Sequence, residues 1–181
     1  MVQDAPVRVR VNITWTPTAR RVPLEMTDRR AVAKAVRTAV KTCLRGAPVK
    51  HPALRALMDS LPRQLEVDVT FMTDAEIAEL NTNYRRKKRS TDVLSFAQYE
   101  GAVWGAEGES GGPLMLGDII ISIETMQRQA AQQKHDLAAE AAFLAVHGTL
   151  HLCGYDHDNA AARRVMWKWQ EEVLEVMRTE D

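Results

Sequence analysis

The chain has 181 residues, 45% hydrophobic and 27% charged, and its 24 Lys plus Arg balance 24 Asp plus Glu for a formal net charge of zero. Such a length suits one domain with a substantial core, and the composition excludes disordered, fibrous and disulfide-scaffold classes. With no net charge, no global field draws the whole molecule to a polyanion or a membrane surface, so any such preference must come from a local patch.

Val7, Val9, Val11 and Ile13 alternate with Arg8, Arg10 and Asn12, the period-two pattern of a half-buried strand. MVQDAPVRVRVNITWTP lacks an apolar h-region and reads as that strand rather than a signal peptide. Pro17 and Pro23 interrupt the alternation. Thr27 or Asp28 is then placed to cap a helix whose apolar face runs Val32, Val36, Ala39, Val40 and Leu44, ended by Gly46 and Pro48. HPALRALMDSL, 51–61, reads as a short helix.

LEVDVTFM sets Leu65, Val67, Val69 and Phe71 on one face of a second strand. TDAEIAELNTNY opens with a capping box, Thr73 with Glu76, and predicts a helix. Five cations follow, RRKKR at 85–89, and then the β-type run VLSF. Residues 97–113 hold five glycines and predict a flexible loop. GDIIISIE is a third clear strand, with Ser122 positioned to cap a helix beginning near Ile123. The Ala- and Leu-rich stretch from Asp136 to about Leu152 is strongly helical. A final helix, about Ala160 to Met177, carries Val165, Met166, Trp169, Val173 and Val176.

This order predicts an α+β fold in a single domain, 1–181, with a small mixed four-stranded sheet, about five covering helices and a metal site at the end of a helix. No run approaches the roughly 18 apolar residues of a membrane span, so a soluble, cytoplasmic protein without membrane contact is expected. Cys43 and Cys153 have no CxxC spacing and read as buried thiols in a reducing compartment.

Three of the five histidines fall in HGTLHLCGYDH, 147–157. His147 and His151, four apart on a helix, project from one face about one turn apart. Gly154 can adopt the left-handed conformation that ends a helix, which lets His157 return to the same point. The pattern H-x3-H-x2-G-x2-H therefore predicts a metal centre. Structural zinc sites are usually closed by four protein ligands, whereas three histidines leave a position open, the arrangement of a catalytic site. Cys153 would face away from the ion, about 200° round the helix from His151. Asp156 could coordinate or hydrogen-bond a ligand imidazole.

The spacing matches the metzincin proteases, except that Gly148 stands where their glutamate base would be. A peptidase needs that carboxylate, and no Glu occurs from 141 to 170. A phosphodiester instead develops charge that a metal and cations stabilise directly. Arg85, Arg86, Lys87, Lys88 and Arg89 supply a polyanion-binding patch, and an arginine near the metal can clamp a phosphate with its planar fork.

HGTLHLCGYDH, LNTNYRRKKRSTDVLSF at 80–96 and LGDIIIS at 116–122 together resemble the YbeY family of bacterial metal-dependent endoribonucleases. The resemblance implies that His147, His151 and His157 bind one zinc ion and that Arg85 lies near the site and assists cleavage of single-stranded RNA. It further implies a role in 16S rRNA 3′-end maturation and ribosome quality control. The implied partners are rRNA, the 30S subunit or its precursor, and ribosomal or GTPase assembly factors. Two features depart from the family pattern: Ser90 and Ala97 replace common prolines, and the 97–113 loop is longer than the family minimum. Water and the ribose 2′-hydroxyl both remain open as nucleophile.

The competing expectations are a non-catalytic ribosome-associated factor braced by zinc and a peptidase lacking the usual base. His135 reads as a surface or capping residue. Trp167 and Trp169, beside Met166, read as core or half-buried residues rather than RNA-stacking ones.

Overall fold

A computed structural model describes residues 8–60, 64–85, 90–98 and 113–180 of the chain. The elements are β1 (Arg8–Trp15), α1 (Met26–Gly46), α2 (Pro52–Ser60), β2 (Gln64–Met72), α3 (Asp74–Arg85), β3 (Val93–Ala97), β4 (Leu114–Ser122), α4 (Ile123–Gln133), α5 (Leu137–Leu152) and α6 (Ala160–Glu180). Among the described residues the strands form one mixed sheet in the order β1-β2-β4-β3, in which β3 runs antiparallel to β4 and the other pairs are parallel. This is the α+β architecture expected from the sequence. Among the described residues there are six α-helices where about five were expected. Pro52–Ser60, marginal by length alone, is anchored by Leu54, which is fully buried in the main core.

Local signals explain most element boundaries. Thr73 and Glu76 form the reciprocal capping box: the Thr73 N–H donates to Glu76 Oε2 at 2.8 Å, and the Glu76 N–H donates to Thr73 Oγ1 at 3.3 Å. Ser122 Oγ accepts from the Thr125 N–H at 3.2 Å and starts α4. The start of α1 differs from expectation. Glu25 is its N-cap, with no side-chain cap bond, and Asp28 lies inside the first turn. There its charge complements the positive end of the helix, so it favours the same start without capping it.

One face of the sheet buries Val67, Val69, Phe71, Ile119 and Ile121 against α1 and α5, whose Val36, Val40, Leu144 and Leu150 complete the core. Full burial of each large side chain contributes about 1.5–3 kcal/mol. On the other face α3 seals Ile77 over Leu94 and Ile120. β4 is buried along most of its length, as suits a central strand covered on both sides. No helix among the described residues is long and apolar enough to cross a membrane.

Two close approaches bring the end of α5 down onto the sheet. β4 shifts register between Glu66 and Val67 of its neighbour, and Gly117 at that bulge has φ +144°. A Cβ there would stand 2.1 Å from the Phe96 carbonyl oxygen and 3.0 Å from Leu152. On the helix side, a Cβ on Gly148 would stand 2.8 Å from Ile119 Cγ2 and 3.1 Å from Ser95 Oγ. The Ser95 hydroxyl also donates to the Gly148 carbonyl at 3.3 Å. The turns of α5 that carry His147 and His151 are therefore set by contact with β3 and β4.

Candidate metal centre

Helix α5 stops at Leu152 because the backbone reverses there. The Tyr155 N–H reaches back to the Leu150 carbonyl at 3.0 Å, the Gly154 N–H bonds the His151 carbonyl at 2.9 Å, and Gly154 has φ +88°. The loop after α1 clamps this turn from behind. The Lys50 and His51 N–H groups donate to the Cys153 carbonyl at 2.9 and 3.2 Å, and the Tyr155 hydroxyl donates to the Pro48 carbonyl at 2.8 Å. A Cβ on Gly154 would lie 2.9 Å from the His51 backbone nitrogen, so position 154 needs glycine for space as well as for its dihedral angle.

The turn returns His157 to the two histidines of α5. Ring centroids are 4.8 Å apart for His147 and His151, 5.1 Å for His151 and His157, and 5.7 Å for His147 and His157. One ligand atom from each lies within 4.8 Å of the others. The Nε2 atoms of His147 and His151 are 3.2 Å apart. Two nitrogens held at about 2.0–2.1 Å from a tetrahedral zinc stand about 3.3 Å apart.

Hydrogen-bond partners fix which ring nitrogens carry protons. His147 Nδ1 lies 3.0 Å from Gln170 Oε1, and His151 Nδ1 lies 2.9 Å from the Tyr155 carbonyl. Both partners are acceptors, so each Nδ1 is the donor and each Nε2 of the neutral rings presents a lone pair. Two lone pairs facing each other at this distance repel unless a cation lies between them. The donor set therefore fits a metal ion.

Electrostatics point the same way. Burial, followed by electrostatic repulsion from the neighbouring His147 and His157, pushes His151 down to about 4. Burial also lowers His147, against the opposing effects of its hydrogen bond to Gln170 and the nearby Asp92 charge, with His157 adding to the lowering. Neutral imidazoles are the form that binds metal.

The other residues singled out by the sequence divide. Asp156 accepts the His157 backbone N–H at 2.7 Å, and this bond, the largest cause, holds its carboxyl below the usual range. It shapes the loop that delivers the third histidine. Cys153 is fully buried, its thiol pushed up to about 12 by burial, and Cys43 is buried likewise. Gly148 is occupied by packing: a side chain there would enter the sheet at Ile119 and Ser95. Arg85 is the last residue of α3, with its backbone alone described; Arg86, Lys87, Lys88 and Arg89 lie outside the described residues.

His135 is bonded rather than simply exposed, its Nε2 lying 2.5 Å from Oε2 of the buried Glu140. Of the two tryptophans, Trp169 packs against the core as expected, but Trp167 is 55% exposed. Gln170 was not evident from the motif. Its signal is a polar residue one turn after Met166, at a core position of α6, where it is buried.

Comparison with known proteins follows the same lines. The family model described as Endoribonuclease YbeY matches residues 26–178. A Moorella thermoacetica protein named Endoribonuclease YbeY is 50% identical over 120 residues, covering 66% of this chain and 77% of that one. Relatives of the same name from Pelotomaculum thermopropionicum and Geobacillus thermodenitrificans are 48% identical over 112 residues and 45% over 124, covering 61% and 66% of this chain and 71% and 77% of theirs. A more distant likeness, with a TM-score of 0.47 and 21% identity over 94% of this chain and 93% of the other, is to the solution structure of TM1509 from Thermotoga maritima. With three histidines converging at the end of α5 and a family match running from the start of α1 almost to the end of α6, the chain belongs to the YbeY family.

Proposed function

We propose that this chain is a zinc-dependent endoribonuclease that cuts single-stranded RNA, and that its substrate is ribosomal RNA at the 3′ end of 16S rRNA in the 30S precursor. We place its action in the cytoplasm, as a single domain, in rRNA maturation and ribosome quality control alongside ribosomal or GTPase assembly factors. The observation that carries this reading is the convergence of His147, His151 and His157 in a chain whose relatives are named endoribonucleases.

His147, His151 and His157 would hold the ion, with Gln170 and the Tyr155 carbonyl fixing two of the rings. A zinc ion bound by three nitrogens supplies Lewis acidity and an open coordination position. Arg85 is assigned to the phosphate, where its guanidinium would bind the charge developing on the non-bridging oxygens. Arg86, Lys87, Lys88 and Arg89 are assigned to the RNA backbone. Asp92, three residues beyond that run in sequence, is near enough to His147 for its charge to act on the imidazole.

The packing at Gly148 favours RNA over peptide, because a glutamate at the position of the protease base would be directed into β4. Incubating the metal-free and zinc-loaded chain with a 16S rRNA precursor tests the proposal. Zinc-dependent cleavage, lost in His151→Ala and severely weakened in Arg85→Ala, supports it. A chain that binds zinc and cuts no RNA is instead the zinc-braced factor. Peptide turnover that survives Arg85→Ala, without RNA cleavage, marks a peptidase. A 2′,3′-cyclic phosphate on the product identifies the ribose hydroxyl as nucleophile.

A further inference from the structure

Helix α6 meets the metal centre twice. At its start, Asn159 Oδ1 accepts from the Ala161 and Ala162 N–H groups at 3.1 and 2.9 Å, so the helix begins just beyond His157. Further along, Gln170 bonds His147. At about 100° per residue, Arg163 and Trp167 project within about 20° and 60° of the Gln170 direction, between those two contacts. They therefore lie on the flank of α6 that turns from the core toward the histidines.

The opposite flank has a different use. Trp169, Val173 and Val176 border a cavity of about 330 Å³ against Thr42, Arg45 and Gly46 of α1. Trp167 is rotated about 160° from Trp169 and takes no part in that packing. The residue is 55% exposed, and the Arg163 guanidinium carbon lies 5.8 Å from a Trp167 ring centroid. Arg163 and its neighbour Arg164 are both exposed. Single exposed apolar residues are ordinary on protein surfaces. An indole backed by a guanidinium and set one turn from the bonding partner of a metal ligand is the combination that single-strand binders use: an aromatic face for a base beside cations for phosphates.

We infer that Trp167 and Arg163 form a stacking platform for an unpaired RNA base next to the scissile phosphate, with Arg163 and Arg164 meeting the adjoining phosphates. This rests on the nuclease reading above and adds a nucleotide subsite to it. Asp156 and Asp158, exposed on the preceding loop, repel phosphates and so direct the strand to the arginine side of the indole. Every base has a π face, so the subsite selects for unpaired nucleotides and not for sequence.

The test is steady-state cleavage of a short unstructured RNA by the zinc-loaded wild type, Trp167→Ala, Trp167→Phe and Val165→Ala, with zinc stoichiometry and melting temperature followed for each. A stacked base contributes about five- to 150-fold in affinity. Trp167→Ala is expected to raise KM about fivefold or more, with the loss falling on KM more than kcat. Trp167→Phe recovers most of it, and Val165→Ala, on the opposite flank, leaves KM alone. An RNA carrying an abasic ribose beside the cleavage site should raise the wild-type KM by the same factor and abolish the difference between wild type and Trp167→Ala. Should Trp167→Ala fail to fold, the wild type on abasic RNA decides by itself, and an unchanged KM there overturns the platform. A folded Trp167→Ala with wild-type KM, or a difference that persists on abasic RNA, also overturns it and leaves the nuclease reading intact. A wild type that binds zinc and cuts no RNA overturns both.

Discussion

Helix α5 has a histidine just before its first turn and two in its last turns, and the two ends satisfy the imidazole in opposite ways. His135 meets the carboxylate of Glu140, a buried acid that needs a partner, and the pair is closed. His147 and His151 each spend Nδ1 on a neutral acceptor, Gln170 and the Tyr155 carbonyl, and turn Nε2 toward each other. No carboxylate completes that second group among the described residues. A histidine next to an acid finishes a local structure, whereas histidines next to one another with donors committed elsewhere present a set of lone pairs that needs a cation.

Breaking the second end should have the largest effect. His151→Ala removes one of the three proposed ligands, and RNA cleavage should fall at least about a hundredfold, together with loss of tight zinc binding in a chelator competition. Gln170→Ala leaves the Nδ1 proton of His147 without its acceptor and loosens the ring. Zinc affinity should drop about 10- to 100-fold in the same competition, with the fold retained.

Acid sharpens the contrast in the metal-free protein. His151 is pushed down to about 4 and His147 is lowered too, chiefly by burial, whereas unfolded imidazoles titrate near about 6.5. Between these values the unfolded chain binds more protons, so the stabilisation is complete above about pH 6.5 and is lost progressively as pH falls toward about 4. Urea midpoints of the metal-free chain across this range should decline with acid, and bound zinc should hold them up. The smallest effect on the metal centre belongs to the other end. His135→Ala leaves Glu140 buried without its partner and should cost about 1–3 kcal/mol in urea unfolding, with no change in zinc affinity.

What could be read in the sequence followed the range of the forces involved. His147, His151 and Gly154 depend on the helical period and on one left-handed residue, both local properties, and the capping box at Thr73 and Glu76 is equally local. What escaped depends on contacts between distant segments. Gly148 looked like a missing base, but its cause is the approach of Ile119 and Ser95 to the helix. Gln170 reaches His147 across 23 positions, and the Tyr155 acceptor is a backbone oxygen that carries no sequence signature. Trp167 shares a short apolar run with Met166 and Trp169, and only the docking of α6 decides which of the three faces solvent. The Glu25 cap was missed because its geometry is backbone alone.

The most direct measurement of the central claim is a zinc titration of the metal-free chain followed by single-turnover cleavage of unstructured RNA. Activity should rise linearly and break at one ion per chain, with no such rise for His151→Ala. Cleavage at full rate in the metal-free chain, or none at any zinc loading, would contradict a catalytic metal centre built from His147, His151 and His157.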